Sequence, residues 1–275
     1  MLFRLAFALV STALVSATAL LAGPTAAVSQ DMLSSVDLNS PDMSTSEMTR
    51  DEVEAFLKSN DDTDRQSADL QGKRLSHLDL SGLDFSDSNL RLVKLNRTDL
   101  KGARLDRAIL NQAWLTDADL TGASLVNATL LGTQMQRAKL GGADLSGARI
   151  TADLSGASMI GATLVGADLS ADMRNQSMGM MRGVLRSTDL TNADLAGANL
   201  ARADLEFAKL ANANLSNCNL SHADLSGADL SNANLAGADL TGTDLASSLL
   251  PGAAALQQAR NLDKAVNLNQ ARRPP

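Results

Sequence analysis

Apolar residues recur at every fifth position from Leu70 to Leu250, usually as leucine and usually after Ala-Asp or Ala-Asn. The unit is clearest in the run Ala193-Asp194-Leu195, Ala198-Asn199-Leu200, Ala203-Asp204-Leu205. A helix repeats its apolar face about every 3.6 residues and a strand alternates, so neither element fits this period. Each five-residue unit must therefore bend once, which places leucine and alanine inside a coil and the residue between them outside.

The number of units in one coil follows from the spacing at which exceptions to the pattern realign. Corner glycines lie twenty residues apart at Gly82, Gly102, Gly122 and Gly142. Glycine suits a turn whose backbone needs a positive φ. A spacing of fifteen residues realigns no comparable group. The sequence therefore favours four five-residue units per coil.

The repeated Ala-Asp/Asn-Leu-x-x unit resembles the motif of the pentapeptide-repeat family, over about two-thirds of the chain. The resemblance implies an all-β fold, a right-handed quadrilateral β-solenoid with four pentapeptides per coil. The repeats would form about nine coils, and with coils about 4.8 Å apart the resulting rod would be about 43 Å long. Because an open solenoid end exposes unpaired backbone and apolar side chains, short helical caps are expected at both ends.

The regions outside the repeats predict a simple domain order. Residues 1–27 resemble a secretory signal peptide, with Arg4 before a long apolar run and small residues after it. Residues 28–48 are interpreted as a flexible acidic linker and residues 49–65 as an N-terminal capping helix. Thr49 and Glu52 have the spacing of a helix capping box. The solenoid spans residues 66–250, and residues 251–275 form a C-terminal cap with a disordered basic tail.

The repeat is interrupted twice. Ala152-Asp153-Leu154 arrives one residue early, so one corner has lost a residue. A larger break covers residues 170–184, after which the period resumes at Leu185. The sequence leaves open whether this second break is a protruding loop or a deformed coil.

The formal net charge of −7 is unevenly distributed, at +1 for residues 1–27, −7 for 28–65, −4 for 66–250 and +3 for 251–275. A nucleic-acid groove would need a stripe of cations with aromatic residues. The cations of one coil instead encircle it, so no nucleic-acid partner is expected. The twenty-residue spacing also stacks oppositely charged residues from successive coils, as exposed pairs worth about 0–1 kcal/mol each. The encircling cations form a basic belt (Arg91, Lys94, Arg97, Lys101, Arg104, Arg107). The stacked charges form one column (Arg97, Asp117, Arg137) and one pair (Asp119, Lys139).

No arrangement of residues predicts catalysis, a cofactor or a metal site. His77 and His222 lie about seven coils apart at corners, and no Cys/His spacing or phosphate-binding loop occurs. The outward aspartates belong to the repeat and are expected to be solvated. Cys218 is the single cysteine, which excludes an intramolecular disulfide, and it occupies an inward alanine position.

Two features are candidates for recognition. Trp114, the single tryptophan, occupies an outward position, either as an exposed contact or as a ring lying against neighbouring coils. The 170–184 break is the second candidate, because flexible methionines form adaptable contact surfaces and loops often carry function on rigid scaffolds. Its candidate residues are Met173, Met178, Met180, Met181 and Arg182.

These observations predict an exported, non-enzymatic scaffold that binds an unidentified protein through its outer faces or the 170–184 loop. The expected location is periplasmic or secreted, with membrane anchoring expected only if the N-terminal segment stays uncleaved. A homodimer through one solenoid end is a further expectation. The resemblance also implies an alternative: some pentapeptide-repeat proteins imitate DNA, bind DNA gyrase and protect it from quinolones. The signal sequence and the weak negative charge of the repeats oppose this alternative.

Overall fold

The computed structural model of the 275-residue chain describes residues 36–59, 68–171 and 181–273. The chain divides into two compact units, Met1–Asp37 and Leu38–Pro275, and only the last two residues of the first unit are described. The signal sequence predicted for residues 1–27 lies outside the described residues. Within the described ranges, no helix has the length and apolarity needed to cross a membrane.

The second unit is a stack of parallel coils. Single backbone bridges join outward residues of successive coils, which lie twenty positions apart wherever the repeat is uninterrupted, as in Asp79 to Asp99 and Asp99 to Asp119. Two longer strands, β1 (Thr129–Gln134) and β2 (Arg149–Asp153), pair in parallel in the middle of the stack. The period-five leucines are buried along the whole axis, and the alanines two places earlier line the same core. The inward assignment of both positions is therefore confirmed.

Each corner of a coil needs one residue with a positive φ, as the glycine spacing predicted. Gly82 and Gly102 have φ values of 69° and 60°, and asparagine, aspartate or arginine occupies the same place at many other corners. The side chain before the leucine stabilises the corner. Asp79, for example, accepts hydrogen bonds at Oδ1 from the Ser81 N–H (3.0 Å) and hydroxyl (2.6 Å).

These corner bonds explain why aspartate and asparagine recur in the outward position. A carboxylate that accepts several hydrogen bonds favours its ionised form. At Asp239, hydrogen bonds from the side chains of Asn261 and Thr241, and from the Thr241 backbone, lower the carboxyl pKa to about 2. The repeated acids therefore act as turn-forming groups and are bonded to the backbone rather than simply solvated.

The segment before the solenoid packs against its first coils. Helix α1 (Pro41–Ser44) buries Met43, whose carbonyl oxygen accepts hydrogen bonds from Ser76 Oγ (2.8 Å) and Asn96 Nδ2 (3.2 Å). Ser46 forms an antiparallel bridge with Leu75. The prediction of a flexible linker over residues 28–48 is therefore wrong from residue 38 onward, because α1 and the bridge fix this segment to the coils.

Helix α2 (Arg50–Ser59) covers the N-terminal end of the solenoid. It lies within the predicted 49–65 segment, and residues 60–67 are outside the described ranges. Thr49 N–H donates to Glu52 Oε2 (2.7 Å) and Glu52 N–H donates to Thr49 Oγ1 (3.3 Å), which is the predicted capping box. Val53 of α2 is fully buried in the solenoid core.

The C-terminal segment forms one further coil of wider spacing. Helix α3 (Ala253–Leu256) is followed by two 3-10 helices at Leu262–Lys264 and Leu268–Gln270. Bridges then join Asp239 to Arg260, Asp244 to Val266, and Leu249 to Arg272. The prediction of a disordered basic end is wrong at Arg272, because its N–H donates to the Ser248 carbonyl (2.7 Å) and its carbonyl accepts from Leu250.

We expect Leu205→Asp to unfold the solenoid, since Leu205 is fully buried and an unpaired carboxylate has no partner among the surrounding leucines and alanines. The loss of unfolding free energy should be about 4 kcal/mol or more, measured by thermal unfolding. Phe207→Asp is the matched control, because Phe207 is exposed at the next corner with a φ of 57°. An unchanged melting temperature for Leu205→Asp would contradict the inward assignment.

Candidate functional site

The two interruptions of the repeat lie at one corner in consecutive coils. This corner, called the break corner here, follows Leu130 in one coil, Ile150 in the next and Leu169 in the one after. It holds two residues after Leu130, only Thr151 after Ile150, and residues 170–182 after Leu169. The shortened corner is therefore the immediate neighbour of the long insertion.

The insertion leaves the coil that carries it closed. Asp153 pairs with Val184, thirty-one residues later, so the bridge ladder continues across the break. Gly183 N–H donates to the Leu169 carbonyl (3.0 Å), which joins the two ends of the insertion. A Cβ on residue 183 would lie 2.9 Å from that carbonyl oxygen, so the close approach requires glycine. The break is thus an insertion at one corner, and the coil that carries it keeps its backbone bridges to the coils on both sides.

The C-terminal stem of the insertion reaches back toward the preceding coils. A methyl group built on Gly132 would lie 3.7 Å from Met181 Cε. Thr151, at the shortened corner between them, is only 5% exposed, whereas its counterparts Asn111 and Leu131 are half-buried. Among the described residues its Oγ1 has no hydrogen-bond partner. The remaining methionine candidates, Met173, Met178 and Met180, lie outside the described residues.

An ion cluster holds the same stem from the other side. Asp204 is fully buried in the next coil, and its Oδ2 lies 2.8 Å from Arg182 Nη2 and 2.7 Å from Arg186 Nε. Arg186 also pairs with Glu206 at 2.6 Å. Burial opposes the charge of Arg186, but the hydrogen bond to Asp204 and the nearby carboxylates outweigh it and raise the pKa of the guanidinium. This cluster fixes the point at which the chain re-enters the coil.

Trp114 lies on the outer face that adjoins the break corner. Bridges connect Lys94, Trp114 and Gln134 in successive coils, and the same column continues through Asp153 and Val184. The Trp114 side chain is half-buried. The structure therefore places Trp114, Met181 and Arg182 on one side of the solenoid, a grouping that the sequence analysis did not predict.

The basic belt predicted around one coil is largely neutralised. Lys94 pairs with Asp42 (2.6 Å), Arg107 with Asp87 (2.6 Å), and Lys101 with Asp99 (2.7 Å). The predicted column of charge is also present: both Arg97 and Arg137 lie within ion-pair distance of Asp117, and Lys139 lies 3.5 Å from Asp119. The belt is thus a set of paired surface groups distributed over several faces.

The remaining chemical candidates have structural surroundings. Cys218 is buried, and its Sγ lies 2.9 Å from the Leu195 carbonyl oxygen, as a threonine hydroxyl does in the same inward position elsewhere. Burial raises the pKa of the Cys218 thiol to about 12, so it stays protonated at neutral pH. His77 and His222 are exposed at corners with φ values of 64° and 59°. In the described ranges, no group of three acidic, histidine or cysteine side chains could hold a metal ion.

A family model for pentapeptide repeats matches eight copies in this sequence, covering residues 66–171 and 184–246. The chain belongs to the pentapeptide-repeat family. Its parallel coils are accordingly a right-handed β-helix-like solenoid. The family match stops at residue 171 and resumes at residue 184, which leaves the insertion of the break corner outside the repeats.

Several solved structures of pentapeptide-repeat proteins are similar to the chain. HetL, involved in heterocyst differentiation regulation in the cyanobacterium Nostoc sp. strain PCC 7120, is 29% identical with a TM-score of 0.41, over 82% of this chain and 94% of its own. QnrB1, a plasmid-mediated fluoroquinolone resistance protein, is 22% identical with a TM-score of 0.48, over 63% and 84%. A thylakoid-lumen protein of Arabidopsis thaliana is 21% identical with a TM-score of 0.25, over 70% and 86%. No curated protein matches the sequence significantly.

The Asp204 cluster was missed by sequence reasoning. Asp204 stands in a regular Ala-Asp-Leu unit and looks like any other outward aspartate of the repeat. A signal was nevertheless available in the sequence. Arg182 and Arg186 flank the point where the repeat resumes, and this point lies one coil before Asp204. Stacking the residues by coil across the insertion would have placed both beside Asp204.

Thr151→Val should raise the free energy of unfolding by about 1 kcal/mol, because it removes a buried hydroxyl without a partner among the described residues and keeps the side-chain shape. Thr133→Val is the matched control: its fully buried Oγ1 donates to the Leu110 carbonyl (2.9 Å). That variant should lose about 1 kcal/mol. Chemical denaturation of both variants measures the difference, and equal losses would show that the Thr151 hydroxyl is bonded.

Asp204→Ala should lower the free energy of unfolding by about 3 kcal/mol, because it leaves Arg182 and Arg186 partly buried without their shared carboxylate. It should also speed trypsin cleavage after Arg182. Asp224→Ala, one coil further on the same face, removes a half-buried aspartate that forms no ion pair with any described residue. This control should lose about 1 kcal/mol through its Ser226 bonds. Equal behaviour of the two variants would exclude a stem-fixing role for Asp204.

Proposed function

We propose that the chain is an exported scaffold without enzymatic activity, which binds another protein through the side of the solenoid that carries the break corner. Proteins of this family are generally non-enzymatic scaffolds. The observation that carries the proposal is the grouping of both interruptions with Trp114 on one side of an otherwise regular stack. Loops held by a rigid scaffold are a common location of binding residues.

We further propose that the solenoid is quadrilateral, with four pentapeptides per coil and about nine coils. The twenty-residue bridge spacing and the five-residue leucine spacing support this geometry. Four flat faces and four corners give each coil separate surfaces, so a binding side can differ in composition from the other three. The paired charges of the basic belt then belong to faces that serve mainly to keep the coils in register.

Export is supported by the sequence of residues 1–27 alone, and a periplasmic or secreted location is part of the proposal. An uncleaved membrane-anchored form is the alternative. A homodimer through a solenoid end remains a prediction. Gyrase binding also remains a prediction, for which a supercoiling assay with residues 28–275 is the direct measurement. Inhibition or protection of gyrase at micromolar protein would support it, and no effect would exclude it.

The proposed function is tested in two steps. Cell fractionation with N-terminal sequencing should find a mature protein outside the cytoplasm, shortened near residue 27, and a full-length cytoplasmic product would overturn export. The partner is then sought by cross-linking the wild-type protein and a variant lacking residues 172–182. This deletion restores the five-residue spacing between Leu169 and Leu185, so the coils should be retained. An identical cross-linked partner for both proteins would exclude the insertion from the binding surface.

A further inference from the structure

One strip of the solenoid surface carries no carboxylate. It consists of the break corner and the outward positions of the two faces beside it, from Asn89 to Thr151, and is called the corner strip here. It ends at Asp153, which is the next outward residue after Gln134 in the Trp114 column. The other two faces of the same coils include acids, such as Asp119 and Asp144, and two of the other three corners include Asp117 and Asp106. The remaining corner, which holds Lys101, Gly122 and Gly142, is also free of acids but has no outward apolar side chain. The members of the corner strip are Asn89, Arg91, Leu92, Lys94, Ile109, Asn111, Gln112, Trp114, Thr129, Leu131, Gly132, Gln134, Arg149 and Thr151.

The outward apolar residues of these coils are concentrated in the same strip. Between residues 89 and 134, four of the five outward apolar side chains belong to it, and only Val126 lies elsewhere. Leu92 is 43% exposed at the corner itself. Ile109 and Trp114 stand on either side of the same corner, one coil further. Such grouping concentrates outward apolar side chains on one strip, whereas exposed apolar residues are normally scattered singly over a protein surface.

Cations border this apolar surface. Arg91 forms no ion pair among the described residues, and its Nη1 instead lies 3.0 Å from Asn89 Oδ1. Lys94 is on the other side and pairs with Asp42 of the N-terminal segment. Arg149 belongs to the strip one coil before the insertion. The rest of the belt is different, since Arg107, for example, is engaged by both carboxylate oxygens of Asp87.

The stem of the insertion extends the strip. Met181 lies against Gly132, and the following residue, Arg182, pairs with Asp204 of the next coil. The shortened corner at Thr151 allows this approach, because the corner residue that would stand between Gly132 and the stem is missing. Because Met181 reaches back to Gly132, the strip crosses about two coil spacings from Leu92 to Met181, or about 10 Å, which matches about two turns of a helix.

We propose that the corner strip is the docking surface for an acidic, amphipathic helical segment of the partner protein. The apolar face of that segment packs on Leu92, Trp114 and Met181, and its carboxylates pair with Arg91 and the neighbouring cations. The outward positions of the strip carry no acid that would repel such a segment, whereas the other two faces of these coils carry acids such as Asp119 and Asp144. This inference rests on the proposed scaffold function and adds the chemistry of the partner.

Trp114 reports on its own site, because it is the single tryptophan of the chain. The full-length protein is titrated with a synthetic helical peptide of about twelve residues, with leucines on one face and glutamates on the other. The expected result is a change in Trp114 emission that saturates and weakens with added salt. A second peptide with lysine in place of every glutamate should bind at least about tenfold more weakly.

Matched variants locate the site. Leu92→Ser and Arg91→Glu should each weaken binding of the acidic peptide by about tenfold. Ile160→Ser is the apolar control, because Ile160 is 47% exposed at a different corner. Lys139→Glu is the charge control on another face. Binding that is unchanged in Leu92→Ser and Arg91→Glu, or equal for both peptides, would overturn the proposal.

Other outcomes also decide the question. Vesicles of phosphatidylglycerol that shift Trp114 emission when the acidic peptide does not would assign the strip to a lipid surface and overturn the proposal.

Failure of this inference can be distinguished experimentally from failure of the proposed scaffold function. If cross-linking finds a partner that binds Leu92→Ser as well as it binds the wild-type protein, the scaffold function stands and the corner strip is wrong. If no partner is found outside the cytoplasm, the peptide titration still measures the strip alone.

Discussion

The backbone ladder between neighbouring coils is the constraint on which the rest of this structure depends. Most backbone N–H groups of a coil bond the coils on either side, which requires all coils to lie in register. The core is therefore filled mainly by leucine and alanine, with only a few other inward residues such as Phe85, Met135 and Met159. The turns are fixed for the same reason, and Asp or Asn before the leucine bonds the corner N–H groups that the ladder leaves unpaired.

This constraint also decides where the sequence can change length. A residue added or lost within a bridged position would shift every later pairing, whereas a corner can absorb the change. The lost residue near Thr151 and the insertion before Gly183 both obey this rule, and the ladder passes through them without a missing bridge. Variation is thus confined to corners, and its concentration at one corner gives the solenoid a distinct side. Function in such a fold is expected where the repeat departs from its own pattern.

Much of the fold was readable from the sequence because the interactions that determine it are periodic. The leucine spacing indicated the inward residues, the glycine spacing indicated the bridge partners, and Thr49 with Glu52 indicated the start of α2. The docking of Met43 was not readable, since its burial depends on Ser76 and Asn96, far along the chain, and no period marks it. The candidate surface was readable only in part. Trp114 and Met181 were identified singly, but their common side depends on counting coils across both interruptions.

The two ends of the solenoid are finished in different ways. The outward residues of the last coil, Arg260, Val266 and Arg272, lie six residues apart, yet they pair with Asp239, Asp244 and Leu249 beneath them, which lie five apart. The extra residue of each unit is taken up in a 3-10 helix at the corner, so the ladder stays in register. The opposite end is covered by α2. Because head-to-tail growth joins one end of a solenoid to the other, the covered N-terminal end prevents an array of nearly identical units from extending into fibres.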